Sequence, residues 1–262
     1  MNLFIDAHAH LTSRECVGRL PEMVEKAAKV GIAKIVNVCT DLTSLQEGLK
    51  YSKEFPWIYN AAATPPHDVE EDGESHFPIF ERAAKEGKLI ALGETGLDHL
   101  QKNRSLQREF LSRYLFLSLE LHLPLIFHCR EEFDDLFAIT KGKNARCMIH
   151  CFTGTYEDAK EAISRGWYIS LSGVITFKKS EELRAIVKKI PLEHILIETD
   201  TPYLAPQSRR GKPNEPAFIK ETAEMIAHLK EISIDEVAFI TSNNAEQFFS
   251  FSNFPSQGKT HL

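Results

Sequence analysis

Six residues of metal-ligating type stand at the ends of short apolar runs. His8 and His10 lie in the string Leu3-Phe4-Ile5-Asp6-Ala7-His8-Ala9-His10, Glu94 follows the run 89–93, and His128 follows 124–127. His150 follows 147–149, and Asp200 follows 195–199. Imidazole nitrogens and carboxylate oxygens are the donor set for zinc, manganese and magnesium in hydrolytic sites. A lone histidine at a strand end is more often a hydrogen-bonded core residue than a ligand. Four histidines and two acids at one end of successive strands point instead to convergence, and the chain reads as a metal-dependent hydrolase. His8 and His10 are two apart on an extended segment, so both rings face the same side. Asp6 aligns with them but lies deeper, where ligation and support of a ligand are both open to it.

A scaffold must bring these donors together. Eight apolar runs of strand length lie near 3–8, 34–39, 57–63, 89–94, 124–128, 146–150, 167–171 and 195–199. Helical spacing fills the intervals, for example over 22–28 and over 110–115, the latter preceded by Ser105 as a candidate cap. The strands are apolar almost throughout rather than alternating, as in a parallel sheet covered on both faces. Eight alternations predict an α/β protein, a single-domain (β/α)8 TIM barrel. No Gly-rich turn follows the first strand, which disfavours a doubly wound dinucleotide fold. A polar, Pro-rich loop spans 202–216. A helix is expected near 217–230 and short helices near 235–240 and 245–249. The barrel is assigned to residues 1–251, and 252–262 reads as a disordered tail. In such a barrel chemistry sits at the carboxyl ends of the strands, where every candidate ligand lies.

Composition narrows the class. The 262 residues, 43% of them hydrophobic, suffice for one large core. No apolar run approaches the ~20 residues that span a bilayer, and the start of the chain lacks a signal-peptide pattern, so a cytoplasmic protein without membrane attachment is expected. Five cysteines, Cys16, Cys39, Cys129, Cys147 and Cys151, show no paired metal spacing, and their odd number argues for reduced thiols. The net charge of -6 excludes a general pull toward nucleic acid. A polyanionic substrate would have to be drawn by local patches or by metal ions.

The strings D-A-H-A-H (Asp6 to His10), G-E-T-G-L-D (Gly93 to Asp98), F-H-C-R-E (Phe127 to Glu131), H-C-F-T-G (His150 to Gly154) and E-T-D-T-P-Y-L-A-P (Glu198 to Pro206), with R-G-K-P-N-E-P (Arg210 to Pro216), resemble the TatD family of metal-dependent deoxyribonucleases. The matches keep their order across nearly the whole chain, whereas D-x-H-x-H alone would indicate only the broader amidohydrolase-like barrels. The resemblance implies a (β/α)8 fold and two divalent metal ions. One would be held by His8, His10, Glu94 and Asp200, the second by His128 and His150, with Glu94 bridging. Glu94 and Asp200 then stand at the centre of catalysis. The ligand set suits magnesium, manganese, zinc or iron.

Two such ions roughly 3.5–4 Å apart acidify a shared water and clamp both oxygens of an in-line displacement. No side-chain nucleophile is then required, and Cys129 and Cys151, each next to a ligand histidine, are expected to point away from the site. Asp98 and Glu198 flank ligands and could orient them. Substrate contacts are sought at His67, Arg130, Arg210, Lys212 and Asn214. Arg209, Arg210 and Lys212 form either a phosphate clamp or a solvated loop, and Asn214 and Glu215 either fix that loop or touch substrate. The chain departs from the family where a G-x-H-P-H string reads Ala63-Thr64-Pro65-Pro66-His67. It also has His99 and Leu100 in place of aromatic residues, and Glu132 in place of alanine. No proposed ligand is affected.

The expected activity is hydrolysis of phosphodiester bonds by a monomer that trims single-stranded or frayed DNA ends. The alternatives are an ester or amide hydrolase acting on a smaller substrate such as mischarged aminoacyl-tRNA, and a non-catalytic metal-binding interaction module.

Overall fold

In the computed structural model, which describes residues 3–254, strand and helix alternate eight times. The order is β1 (Phe4–Ala9), α1 (Leu20–Lys29), β2 (Ile32–Cys39), α2 (Leu42–Glu54), β3 (Ile58–Ala62), α3 (Gly73–Lys85), β4 (Leu92–Asp98) and α4 (Arg104–Leu121). It continues with β5 (Leu125–Arg130), α5 (Phe133–Ile139), β6 (Cys147–Ile149), α6 (Tyr156–Ser164), β7 (Tyr168–Leu171), α7 (Glu181–Lys189), β8 (Ile195–Ile197), α8 (Ile219–Lys230) and α9 (Ile234–Phe249). Hydrogen-bonded strands follow in sequence order, β1-β2-β3 and β4-β5-β6-β7-β8. This is the (β/α)8 barrel expected from the alternation of apolar runs. Among the described residues no helix is long and apolar enough to cross a membrane.

The described residues divide into two compact units, 3–36 with 150–247, and 37–149 with 248–254. In the first, the Asp200 N–H donates to the His8 carbonyl at 2.9 Å and the His10 N–H to the Thr201 carbonyl at 2.7 Å, joining β1 to the segment after β8. First and last strands are neighbours, as a closed barrel requires. All six residues of β1 are buried, Asp6 and His8 included. Helix α1 begins with a proline in its first turn and buries Leu20, Met23, Val24 and Ala27, the i, i+3, i+4, i+7 stripe of an amphipathic helix.

In the second unit, α2 is capped reciprocally. The Ser44 N–H donates to the Asp41 carboxylate at 2.8 Å and the Asp41 N–H to Ser44 Oγ at 3.0 Å. Strand β4 pairs in parallel with β5 from Leu92 opposite Leu125 to Asp98 opposite Arg130, with an irregularity before Thr95.

Three expectations are corrected. The fourth strand runs over Leu92–Asp98, so Glu94 sits inside it rather than beyond its end. Ser105 lies within α4, whose start at Asn103 has no side-chain cap. The two short helices near 235–240 and 245–249 are one continuous α9. Residues 241–244 look turn-forming, yet their polar groups bond elsewhere. Thr241 Oγ1 donates back to the Val237 carbonyl, Ser242 Oγ to the Leu3 carbonyl, and Asn244 Nδ2 to the carbonyls of Leu192 and Ile195. Of the expected tail, 252–262, the structure describes only residues 252–254. Ser252 lies in a 3-10 turn, Phe251–Asn253, whose Phe251 is buried against Tyr59 at 4.7 Å between ring centroids. The rest of the predicted tail, from residue 255, lies outside the described residues.

Candidate metal centre

Strand alternation and a tight turn build the first cluster. His8 is on β1 and His10 one residue past it, so their rings share a face. Asp200 lies three residues past β8 with left-handed backbone, φ 58°. That conformation costs an L-residue roughly 1–2 kcal/mol, and the Asp200–His8 and Tyr203–Asp200 backbone hydrogen bonds, at 2.9 and 2.8 Å, hold it. His8 Nε2 stands 3.1 Å from His10 Nε2 and 3.7 Å from Asp200 Oδ1, and His10 Nε2 is 3.4 Å from the same oxygen. Donors arranged tetrahedrally around an ion at about 2.05 Å are about 3.3 Å apart. The three atoms therefore already have the spacing of a coordination face, and two nitrogens with a carboxylate oxygen are a hydrolase donor set.

The same unit supplies the supports. Asp6 is wholly buried. Its carboxylate accepts from the Thr199 N–H at 2.9 Å, from Thr199 Oγ1 at 2.6 Å and from the His8 N–H at 3.4 Å. It thereby ties the strand carrying His8 to the turn carrying Asp200, and of the two roles open to it from sequence the supporting one fits. Burial pushes its carboxyl up to about 8 despite the Thr199 hydrogen bonds. His150, one residue past β6, stacks on the His8 ring at 4.0 Å between centroids and 11° between planes. Its Nδ1 lies 3.5 Å from Glu198 Oε1, while Ser170 Oγ donates to the other Glu198 oxygen. Burial raises the Glu198 carboxyl, and His150 opposes the rise.

In the second unit, Glu94 sits between Gly93 (φ 154°) and Gly96 (φ 152°). A Cβ on Gly96 would lie 1.9 Å from the His128 carbonyl, so only glycine lets β4 come this close to β5. His128 Nδ1 is 3.4 Å from Glu94 Oε2, and its Nε2 is 3.2 Å from Asp98 Oδ2. Burial works against ionisation of Asp98, but the His128 hydrogen bond, the Leu100 N–H and the charges of His128 and Arg130 hold its carboxyl below the usual range. The Asp98 backbone is fixed in turn by Gln107, whose Oε1 accepts the Asp98 N–H at 2.9 Å. The two flanking acids thus contact the histidines that the sequence suggested they could orient.

The substrate candidates separate. Arg130, Arg210 and Lys212 are exposed. His67 is exposed and pairs with Asp68 at 3.5 Å. Asn214 is buried, and its amide is committed to the carbonyls of Thr199 at 2.7 Å and Tyr203 at 2.8 Å. Glu215 is buried against Lys26 at 3.0 Å. Both residues hold the loop through these contacts. Arg209 is held by Glu221 at 2.9 Å. Cys129 is buried, and Cys151 Sγ faces Ser172 Oγ at 3.1 Å. Sequence reasoning missed Thr199 and Gln107, whose hydrogen bonds are invisible to periodicity. It also missed Tyr203, whose half-exposed ring stands 5.7 Å from that of His10. Its position in T-P-Y, three residues after Asp200, was the available signal.

Comparison with known proteins bears on this geometry. A family model described as TatD related DNase matches residues 5–250. A Bacillus subtilis (strain 168) protein named as an uncharacterized metal-dependent hydrolase, YabD, is 35% identical over 252 residues, 94% of this chain and 99% of that protein. An Edwardsiella piscicida protein named 3'-5' ssDNA/RNA exonuclease TatD is 29% identical over 256 residues, covering 94% and 98%. Among solved structures, the TatD homologue YjjV of Escherichia coli K12 matches with a TM-score of 0.88 at 26% identity over 94% of this chain and 98% of that one. A TatD family hydrolase of Entamoeba histolytica shares the fold, with a TM-score of 0.84 at 23% identity over 94% and 97%. With the match reaching from the first strand to the last helix, and the relatives spanned almost end to end, the chain belongs to the TatD-related DNase family of metal-dependent hydrolases.

Proposed function

We propose that this protein is a cytoplasmic, monomeric phosphodiesterase that trims single-stranded or frayed DNA from an end. In this reading His8, His10, Glu94, His128, His150 and Asp200 hold two divalent ions, magnesium, manganese or zinc, with Glu94 shared, and residues 1–251 act as one catalytic domain. The carrying observation is the triangle of His8 Nε2, His10 Nε2 and Asp200 Oδ1, whose edges of 3.1, 3.7 and 3.4 Å suit one ion. The name of the Edwardsiella relative supports a nucleic-acid substrate.

When bound, divalent ions would supply an acidified water and positive charge for the oxygens around phosphorus in an in-line displacement. The chain's own groups do the rest. Asp98, held ionised, keeps a proton on His128 Nε2, which leaves Nδ1 as the donor atom facing Glu94. Glu198 faces His150 Nδ1 at 3.5 Å, which leaves Nε2 as the atom to meet an ion. Asp6 fixes the spacing of His8 and Asp200 through Thr199. Arg210 and Lys212 attract the polyanion. Neither thiol is called on.

The test is a substrate panel with each metal in turn, using end-labelled single-stranded DNA, mischarged aminoacyl-tRNA and a minimal phosphodiester. Shortening of the DNA from one end supports the reading. Deacylation of the tRNA with intact DNA replaces it with the ester-hydrolase alternative.

A further inference from the structure

Two loops on the strand-end face of the first unit are stitched into one surface. Segments 173–180 of the β7–α7 loop and 202–213 of the β8–α8 loop together carry Lys178, Lys179, Arg209, Arg210 and Lys212, and neither segment contains an acid, in a chain whose net charge is -6. The Gln207 N–H donates to Thr176 Oγ1 at 2.8 Å, and the Lys178 N–H to Gln207 Oε1 at 3.2 Å. The Arg210 guanidinium lies 4.5 Å over the Phe177 ring. From below, Arg184 donates to the carbonyls of Ile175 at 3.0 Å, Phe177 at 2.6 Å and Lys178 at 3.2 Å. A Cβ on Gly173 would meet the Leu204 carbonyl at 2.4 Å, which shows how closely the loops approach. The surface is therefore preformed.

Charge and position on this surface are specific. Arg209 is neutralised by Glu221, but among the described residues no carboxylate lies within ion-pair distance of Lys178, Lys179, Arg210 or Lys212, and all four are exposed. The acidic side chains beside the ridge include Glu221, spent on Arg209, and Glu181 and Glu182 in the first turn of α7. At its inner end the β8–α8 loop begins beside Asp200, with Tyr203 against His10 and 51% exposed. An aromatic face next to the reacting centre, followed by unpaired cations on a rigid support, is what a single strand needs. Bases stack on the ring and successive phosphates meet the cations.

We propose that the stitched β7–α7 and β8–α8 loops form the path of single-stranded nucleic acid leaving the metal centre. Tyr203 stacks the base nearest the centre, and Lys178, Lys179, Arg210 and Lys212 neutralise the phosphates beyond it. The proposal rests on the phosphodiesterase reading and deepens it. It adds Lys178, Lys179 and Tyr203 to the contacts and removes Arg209.

The experiment measures fluorescence anisotropy of a labelled oligothymidylate long enough to cover the ridge, against the dinucleotide, over a salt series in chelator so that nothing is cleaved. Each phosphate contact contributes about -0.7 to the log–log salt slope for a single strand, so Lys178→Ala/Lys179→Ala should flatten the slope by about 1.4. It should also collapse the long-to-short affinity ratio by about tenfold at low salt. Lys188→Ala/Lys189→Ala, two exposed cations late in α7, make the same charge change away from the ridge and should leave the slope unaltered. Tyr203→Leu should weaken binding about tenfold, and Tyr203→Phe should restore it. An unchanged slope in Lys178→Ala/Lys179→Ala, or equal flattening by the control pair, overturns the proposal. If DNA is cleaved with any metal yet the slope does not respond, the nuclease reading stands and the path fails. If no metal gives cleavage but the slope responds as expected, the path stands and the nuclease reading fails.

Discussion

Asp6 offers the sharpest test of how the centre is held. It is fully buried and accepts from Thr199 twice and from His8 once. Asp6→Ala leaves the Thr199 and His8 N–H groups without that acceptor, while the Thr199 hydroxyl keeps Thr201 Oγ1 at 2.8 Å. A buried donor left unsatisfied costs about 1–3 kcal/mol, so the loss should be roughly 2–6 kcal/mol for the two, a large part of the ~5–15 kcal/mol that holds a typical domain. Urea denaturation of the metal-free protein reads this as a lower midpoint at constant m. Metal affinity should fall about 10–100-fold, since His8 and Asp200 lose their common tie. Asp6→Asn, nearly isosteric, should cost far less and separates packing from charge. The pH dependence follows with a definite sign. The native carboxyl titrates near 8 against an ordinary 3.8, so the native state keeps its proton longer than the unfolded chain. Its contribution to stability is complete below 3.8 and is lost as pH rises toward about 8. Asp6→Asn should therefore remove up to about 1.4 kcal/mol per pH unit from the slope of stability against pH in that window. Glu198, shifted the same way, maintains part of the slope. A cost below about 1 kcal/mol for Asp6→Ala, or an unchanged pH slope in Asp6→Asn, would refute the reasoning.

Two further outcomes follow from the geometry. Cys129→Ser and Cys151→Ser should keep turnover within about tenfold, because neither thiol takes part, and a folded, metal-replete Cys151→Ser without activity would contradict this. Gly96→Ala must displace β4 from β5, since its Cβ would sit 1.9 Å from the His128 carbonyl. It should cost more than about 3 kcal/mol in a denaturation measurement and abolish turnover, whereas a near-neutral result would show that the strands have room to separate.

Much of this architecture was legible because it is written in short-range pattern. Runs buried on both faces announced the strands, and the two-residue spacing of His8 and His10 announced a shared face. Asp98 and Glu198 stood next to ligands and were found against His128 and His150. What escaped depends on long-range partners. Asn214 resembles a substrate contact in sequence, but its amide satisfies two carbonyls of the loop it anchors. Arg209 looks like its neighbour Arg210 until Glu221, twelve residues on, neutralises it. Residues 241–244 read as a helix break because their side chains compete for backbone, and the carbonyls of Val237, Leu3, Leu192 and Ile195 that absorb them are fixed only by the fold. Lys178 and Lys179 drew no attention in the sequence because their loop is joined to the one after β8 only in space.

The claim beneath all of this is that six donors, on the strands or just beyond them, form one dinuclear centre sharing Glu94. Metal analysis after exhaustive dialysis, on the wild-type chain and on Glu94→Ala, addresses it directly. The account predicts two equivalents of divalent ion in the first and loss from both positions in the second, with the fold retained and with chelator abolishing activity in the wild type. A Glu94→Ala protein that keeps the full complement, or a wild-type chain fully active in chelator, would contradict it.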